Sequence, residues 1–267
     1  MLDACVIDPS SVRTQIYNIP SQIMQQYRDV TLSVDIMKFN NRAFFMTISK
    51  HIKFSTTSKL DSMENKIIVK HFKLVFGLYT NRGFRVKVVM AENQFESLRG
   101  DIADLGANIN VVSHDEHVSE IQLYLRTIKE RVRATHNMTP FKCIPPILIV
   151  EMVYANVFWR NMFPIKGGIS STQGPAEIIL NCAMDFNTYG KLEFGDYVQT
   201  HEEHDNSMGT RAIATRPTGN LQGGYYFISL STGRRITRRE FTKLPMPADI
   251  VDQVHHHARR AKANTQV

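Results

Sequence analysis

Apolar side chains fall at every second position near the start of the chain: Val30, Leu32, Val34 and Ile36 share one side, with Asp35 on the other. That is the period-two pattern of a strand over 30–39. Segments 44–49 and 52–57 repeat the aromatic and β-branched signature across short polar connections such as Asn40-Asn41, which predicts an antiparallel meander of three strands. From Ser62 the spacing turns helical, with Ile68, Phe72, Val75 and Leu78 on one stripe and a stop at Asn81-Arg82-Gly83. A strand at 84–90, a short helix at 95–105 closed by Gly106, and a strand at 108–112 follow. From Asp115 a second long helix carries Val118, Ile121, Leu125, Ile128 and Val132 on one stripe, with Arg126, Lys129, Arg131 and Arg133 largely outside it. The run 146–162 is apolar nearly all round, so it reads as a buried helix, with Trp159 in a core or a subunit interface.

The order βββ-α-β-α-β, then helices, indicates an α/β fold: a mixed sheet with flanking helices, in the order of the ribonuclease H-like fold. After Pro164 the texture changes to Gly, Ser and Thr with one helical stretch at 176–181, which reads as a linker. Short strands at 195–199, 211–216, 224–230 and 234–241, separated by Pro217-Thr218-Gly219-Asn220 and Ser231-Thr232-Gly233, predict a small all-β barrel. The tail from Asp249, with His255, His256 and His257, reads as a frayed helix without a role.

Composition narrows this further. With 267 residues the chain is long enough for about two domains. Hydrophobic residues at 43% and charged residues at 21% exclude a disordered, collagenous or coiled-coil chain. Lys plus Arg number 32 against 25 for Asp plus Glu, and the resulting +7 favours a polyanionic partner, nucleic acid first. Cys5, Cys143 and Cys182 are far apart, with no CxxC pair, which fits a reducing, intracellular setting. No signal peptide is expected, and Glu151, Asn156 and Arg160 make the most apolar stretch, 147–163, too polar to span a membrane.

Three carboxylates carry candidate chemistry. Asp35 sits mid-strand, Glu92 just after the fourth strand where α/β folds place sites, and Glu120 one turn into the later helix. Each alone has a plain reading, as a solvated group or as a helix-terminal charge. Together they form the convergent acidic set that two hard divalent cations need for an in-line phosphoryl transfer. His201-Glu202-Glu203-His204 lacks the four-residue histidine spacing of a helical zinc motif and reads as a polar loop. His114-Asp115-Glu116-His117 reads as a helix cap. In the second half Arg211, Arg216, Arg234, Arg235, Arg238, Arg239 and Lys243 have Glu240 as the nearby acid and aromatics interleaved. This suits a phosphate-backbone contact or a solvated barrel face, and the charges on the Glu120 helix suit a DNA groove in the same way.

Long words in the sequence resemble the integrase region of Ty1/copia-type long-terminal-repeat retrotransposon polyproteins, in a protist, diatom-like branch. They include Arg126-Thr127-Ile128-Lys129-Glu130-Arg131, Glu151-Met152-Val153-Tyr154-Ala155, Tyr197-Val198-Gln199-Thr200-His201, Arg216-Pro217-Thr218-Gly219-Asn220 and Leu244-Pro245-Met246-Pro247-Ala248. The resemblance covers most of the chain. It implies an Asp-Asp-Glu catalytic core mapped onto Asp35, Glu92 and Glu120, Mg²⁺ or Mn²⁺ as the cofactor, and an SH3-like C-terminal barrel. It implies element cDNA ends and target DNA as partners, a homo-oligomer without a membrane, and a place in the nucleus or a cytoplasmic virus-like particle. The implied division is an extension (1–28), the catalytic core (29–164), a linker (165–184), the barrel (185–248) and a basic tail (249–267). Glu92-Asn93 stands where the family pattern carries Asp-Gly, and a carboxylate displaced by about 1 Å can cost ~100-fold in rate. Strand transfer is therefore expected to be weakened, and the alternatives are a degenerate nucleic-acid-binding relic or a fragment of a reverse-transcriptase polyprotein. The family's N-terminal His/Cys zinc module is not visible.

Overall fold

The structure is a computed structural model, and it describes residues 19–112, 119–181, 185–201, 209–220 and 222–263. Cys5, Cys182, the cap at 114–117, Val118, and Glu202, Glu203 and His204 lie outside the described residues. Contacts divide the chain into two compact units. One contains the described residues up to Lys129 and those from Trp159 through the helix at Pro175–Leu180; the other contains Glu130–Phe158 and the described residues from Asp185 on. This grouping interleaves segments that the sequence reading keeps contiguous.

The first unit is a five-stranded mixed sheet. After a short helix α1 (Ser21–Tyr27) come β1 (Asp29–Phe39), β2 (Arg42–Ser49) and β3 (Ser55–Leu60), paired antiparallel in turn. Helix α2 (Asn65–Thr80) then carries the chain across to β4 (Arg85–Glu92), parallel to β1. A 3₁₀ turn (Asn93–Leu98) and α3 (Arg99–Asp104) lead to β5 (Asn108–Val112), parallel to β4, so the sheet order is β3-β2-β1-β4-β5. This mixed α/β layout is compatible with the ribonuclease H-like order expected from the sequence. Gly83, at φ +82°, ends α2 by letting Phe84 N–H reach back to the Tyr79 carbonyl, a turn that a side chain would strain.

The third strand differs from expectation. It lies at Ser55–Leu60 rather than 52–57, because Lys53 takes a left-handed backbone (φ +63°) in the turn and spends Ile52 and Phe54 as core residues ahead of the strand. β3 is polar yet buried, and Thr47 and Thr56 hydroxyls pair across it at 2.8 Å. The middle of β1 is covered on both faces, so Ser33 and Asp35 are buried although the alternation predicts a polar face.

Helix α4 (Ser119–Met138) buries Ile121, Tyr124, Leu125, Ile128 and Val132, matching the predicted stripe from Ile121 on. Helix α5 (Pro146–Met162) has the predicted limits. Helix α6 (Pro175–Leu180), in the expected linker, buries its apolar residues and accepts a hydrogen bond from Arg82 Nε at the Ile178 carbonyl.

In the second unit, a short α7 (Phe186–Tyr189) precedes β6 (Tyr197–Thr200), β7 (Thr210–Pro217), β8 (Tyr225–Ser229), β9 (Arg235–Arg238) and β10 (Phe241–Lys243). They form one antiparallel sheet in the order β10-β6-β7-β8-β9. Neighbours along its strands point to opposite faces. Tyr197, Ile213 and Ile228 pack with Phe141 and Leu148 on one face, and Val198, Ala212 and Phe227 with Leu192 on the other.

The tail corrects a sequence expectation. It is a 16-residue helix, α8 (Ala248–Ala263), whose Ile250 and Val254 belong to the first of those clusters and whose Ala258 is also buried. Its histidines have partners: His255 Nε2 accepts from Lys142 N–H at 3.1 Å, and His257 Nε2 lies 2.7 Å from the Leu230 carbonyl. Among the described residues no helix is long and apolar enough to cross a membrane.

Candidate functional site

Strand register places the first two candidate acids. Ser33 of β1 pairs with Met90 of β4, so two residues further on Asp35 and Glu92 stand level on neighbouring parallel strands, on the same face. Asp35 is 5% exposed and Glu92 half-buried. Asp35 Oδ1 accepts from Ile36 N–H at 2.6 Å and from Gln94 Nε2 at 3.1 Å.

The two carboxylates meet at Gln122. Its Nε2 donates to Asp35 Oδ2 at 3.1 Å and to Glu92 Oε1 at 2.7 Å. Two acceptor-only groups require the amide nitrogen between them, so the orientation follows from chemistry. Glu120 goes elsewhere, its Oε1 held by the Lys53 ammonium from the β2–β3 turn. Helix geometry explains the separation. At 3.6 residues per turn, positions two apart differ by about 200°, so Glu120 and Gln122 lie on opposite flanks of the Ile121–Leu125–Ile128 stripe.

Burial pushes the Asp35 carboxyl up to about 6, and the negative charge of Glu92 adds to the rise, while Ile36 N–H, Lys129 and Gln94 pull it down. Lys129 is seven residues beyond Gln122 on the same flank of α4, where it faces Asp35 electrostatically. A carboxyl whose native pKa is raised binds a proton between pH ~4 and ~6 that the unfolded chain has released. Stability from this group is therefore expected to fall as pH rises through that interval, by up to about 1.4 kcal/mol per pH unit. Carbon-detected NMR of the Asp35 carboxyl should show a midpoint near 6, and a midpoint near 4 would contradict it.

A two-cation centre needs carboxylates that converge. Here two share an amide donor and the third is on a lysine, and among the described residues no group of three or more His, Cys, Asp or Glu side chains is placed to hold a metal. The Gln94, Gln122 and Lys53 roles are missing from the sequence reading. A helical wheel drawn for α4 would have found Gln122, since it places residue 122 and Lys129 together and residue 120 on the far flank. Nothing local points to Lys53.

The basic candidates divide by exposure. Arg126, Arg131 and Arg133 on α4 are exposed and Lys129 is half-buried. In the second unit Arg211, Arg234, Arg239 and Lys243 are exposed, Lys243 with Asp196 at 2.8 Å, and Arg238 is half-buried.

Arg216 and Arg235 are committed inside the unit. A bulge in β7 between Ala214 and Arg216 turns Arg216 inward, 4% exposed. Its Nε meets Glu151 Oε2 at 3.1 Å, and Arg235 Nη1 meets Glu151 Oε1 at 3.1 Å. Both guanidiniums lie over the Tyr226 ring, Arg216 at 4.3 Å and Arg235 at 4.8 Å from its centroid, and Arg216 is also 5.4 Å from the Tyr154 centroid. The buried, paired Arg216 is not presented to a phosphate, whereas Arg235 is half-buried. His201 is half-buried, with Nε2 near the Thr242 hydroxyl at 3.2 Å.

Neither a protein-family model nor a curated protein matches the chain. Among solved structures, the chain is similar to the crystal structure of the catalytic core domain of BIV integrase, at a TM-score of 0.42 and 13% identity over 57% of this chain and 93% of that one. A likeness this slight says nothing about chemistry.

Proposed function

We propose that this chain is an integrase-like nucleic-acid-binding protein of a Ty1/copia-type retroelement, with a ribonuclease H-like unit, an SH3-like five-stranded unit, and strand transfer reduced to background. The observation that carries the reading is the Asp35–Glu92 pair, level on neighbouring parallel strands at the C-terminal end of β4, where α/β sheets place their sites. The sequence words that resemble the family support it independently.

Nucleic-acid binding rests on the exposed cations. Arg211, Arg234 and Arg239 in the second unit and Arg131 and Arg133 on α4 are exposed and suit phosphate contacts, which position a duplex without reading its sequence. The reduced chemistry rests on the site itself. Glu92 is one methylene longer than the aspartate of the family pattern, and Glu120 is tied to Lys53. No chemical step is assigned to these residues.

The triple variant Arg211→Ala, Arg234→Ala and Arg239→Ala is expected to bind duplex DNA roughly tenfold or more weakly than the parent. Its log-affinity against log-salt slope should be shallower by about two to three. The control Arg235→Lys should leave that slope unchanged. A triple variant that binds with parental affinity and slope would refute the arginine surface. Joining of a DNA 3′ end to target DNA in Mg²⁺ or Mn²⁺ is expected at background, and robust joining would refute the loss of chemistry.

A further inference from the structure

Two carboxylates brought level on adjacent strands, one of them 95% out of solvent by its 5% exposure, repel unless something positive lies between them. A divalent cation, a proton or hydrogen-bond donors can serve. In this chain the donors are built in.

The Gln122 amide places one nitrogen against both acids, at 3.1 and 2.7 Å, and Ile36 N–H and Gln94 complete the coverage of Asp35. The last acid of the expected set, Glu120, already has the Lys53 ammonium. The helix stripe fixes which flank of α4 faces the pair, so any residue at position 122 points there and no rotamer brings Glu120 round. A magnesium ion sheds its water reluctantly and demands near-octahedral oxygen ligands, so it would have to expel this donor and, among the described residues, find only two carboxylates.

We propose that the Gln122 amide takes the place of the divalent cation, so that the Asp35–Glu92 centre is closed without metal, and that position 122, not 120, decides whether it can hold one. This rests on reading the pair as the centre of an integrase-like unit. It goes beyond that reading by naming the residue that switches metal binding off. Gln122→Glu adds a carboxylate at the α4 position whose side chain bonds both acids, and the repulsion it creates is relieved by a cation. Gln122→Ala removes the donor and opens space without adding charge.

The test uses the full chain and Mn²⁺ alone, followed by calorimetry and by the melting temperature with and without the ion. The wild-type protein is expected to show no saturable uptake and no shift in melting. Gln122→Glu should bind Mn²⁺ roughly tenfold to a hundredfold more tightly than wild type and melt higher with the ion than without it. Adding Asp35→Asn to that variant should abolish both effects. Gln122→Ala should fall between them, melting lower than wild type in the absence of ion and recovering with it. Wild type binding Mn²⁺ as tightly as Gln122→Glu overturns the proposal. If Gln122→Glu does not fold, Gln122→Ala that matches wild type in melting and uptake overturns it equally. Duplex binding by wild type is read separately, so loss of the nucleic-acid reading and loss of the cation substitution give different results.

Discussion

Glu151→Ala is expected to destabilise the protein by about 3–5 kcal/mol, the usual cost of removing one partner from a buried ionic cluster. Glu151 is 1% exposed and accepts from two arginines, Arg216 and Arg235, one oxygen each. Without it a guanidinium that is 4% exposed keeps its charge, because arginine does not deprotonate, stays within 4.3 Å of the Tyr226 ring centroid and loses the Glu151 carboxylate beside it. Glu151→Gln preserves shape and one acceptor, so it should cost less, while still leaving net positive charge buried. The sharper arm replaces all three members, Glu151→Met with Arg216→Met and Arg235→Leu. A well-packed apolar set in place of a buried ion cluster is often neutral or stabilising, so the triple variant is expected to unfold at or above the urea midpoint of the parent. A Glu151→Ala cost under about 1 kcal/mol would show that the cluster is solvated and that the two arginines are free for other partners.

Asn161→Leu is expected to cost about 2–4 kcal/mol, since it orphans two buried backbone groups at the edge of a sheet. The Asn161 carbonyl accepts from Ser55 N–H at 3.0 Å and from the Ser55 hydroxyl at 2.9 Å, and its amide donates to the Ser55 carbonyl at 2.7 Å. β3 is an outer strand of its sheet, and this one side chain supplies at Ser55 what a further strand would. Leucine has the same number of side-chain heavy atoms with the same branching and leaves no cavity, so the loss would not report a cavity. Amide exchange at Ser55 should accelerate in the variant; unchanged exchange with unchanged melting would contradict the account.

Asn161 also shows where sequence reading stops. The apolar periodicity of 146–162 gives α5 with its observed limits, because burial on several sides writes itself into composition. The meander, the parallel strands and the stripe of α4 are legible for the same reason. What periodicity does not carry is the partner of a polar side chain. Glu151 reads as an argument against a membrane span, and it is the anion of a buried cluster. Arg216 and Arg235 read as phosphate contacts because they sit among arginines and aromatics, yet a one-residue bulge in β7 turns the first of them inward.

β3 was legible as a strand and misplaced by three residues, since Ser55–Leu60 has no apolar alternation and Ile52 and Phe54 look more strand-like than the strand. The tail reads as a frayed helix, yet Ile250, Val254 and Ala258 recur at four-residue spacing and are buried. At the candidate site, Glu92 follows from the predictable end of β4 and Asp35 from the polar side of the alternation in β1. The placement of Glu120 on Lys53 depends on a long-range contact 67 residues away.

The central claim is that the exposed cations engage a nucleic-acid backbone. Its most direct test is the affinity of the full chain for duplex DNA as salt is raised from about 50 to about 200 mM. Neutralising several phosphates releases as many counterions, and the account predicts a linear fall of log affinity with log salt, with a slope of about −4 or steeper and little dependence on base sequence. A slope near zero, or no binding at the lowest salt, would contradict it.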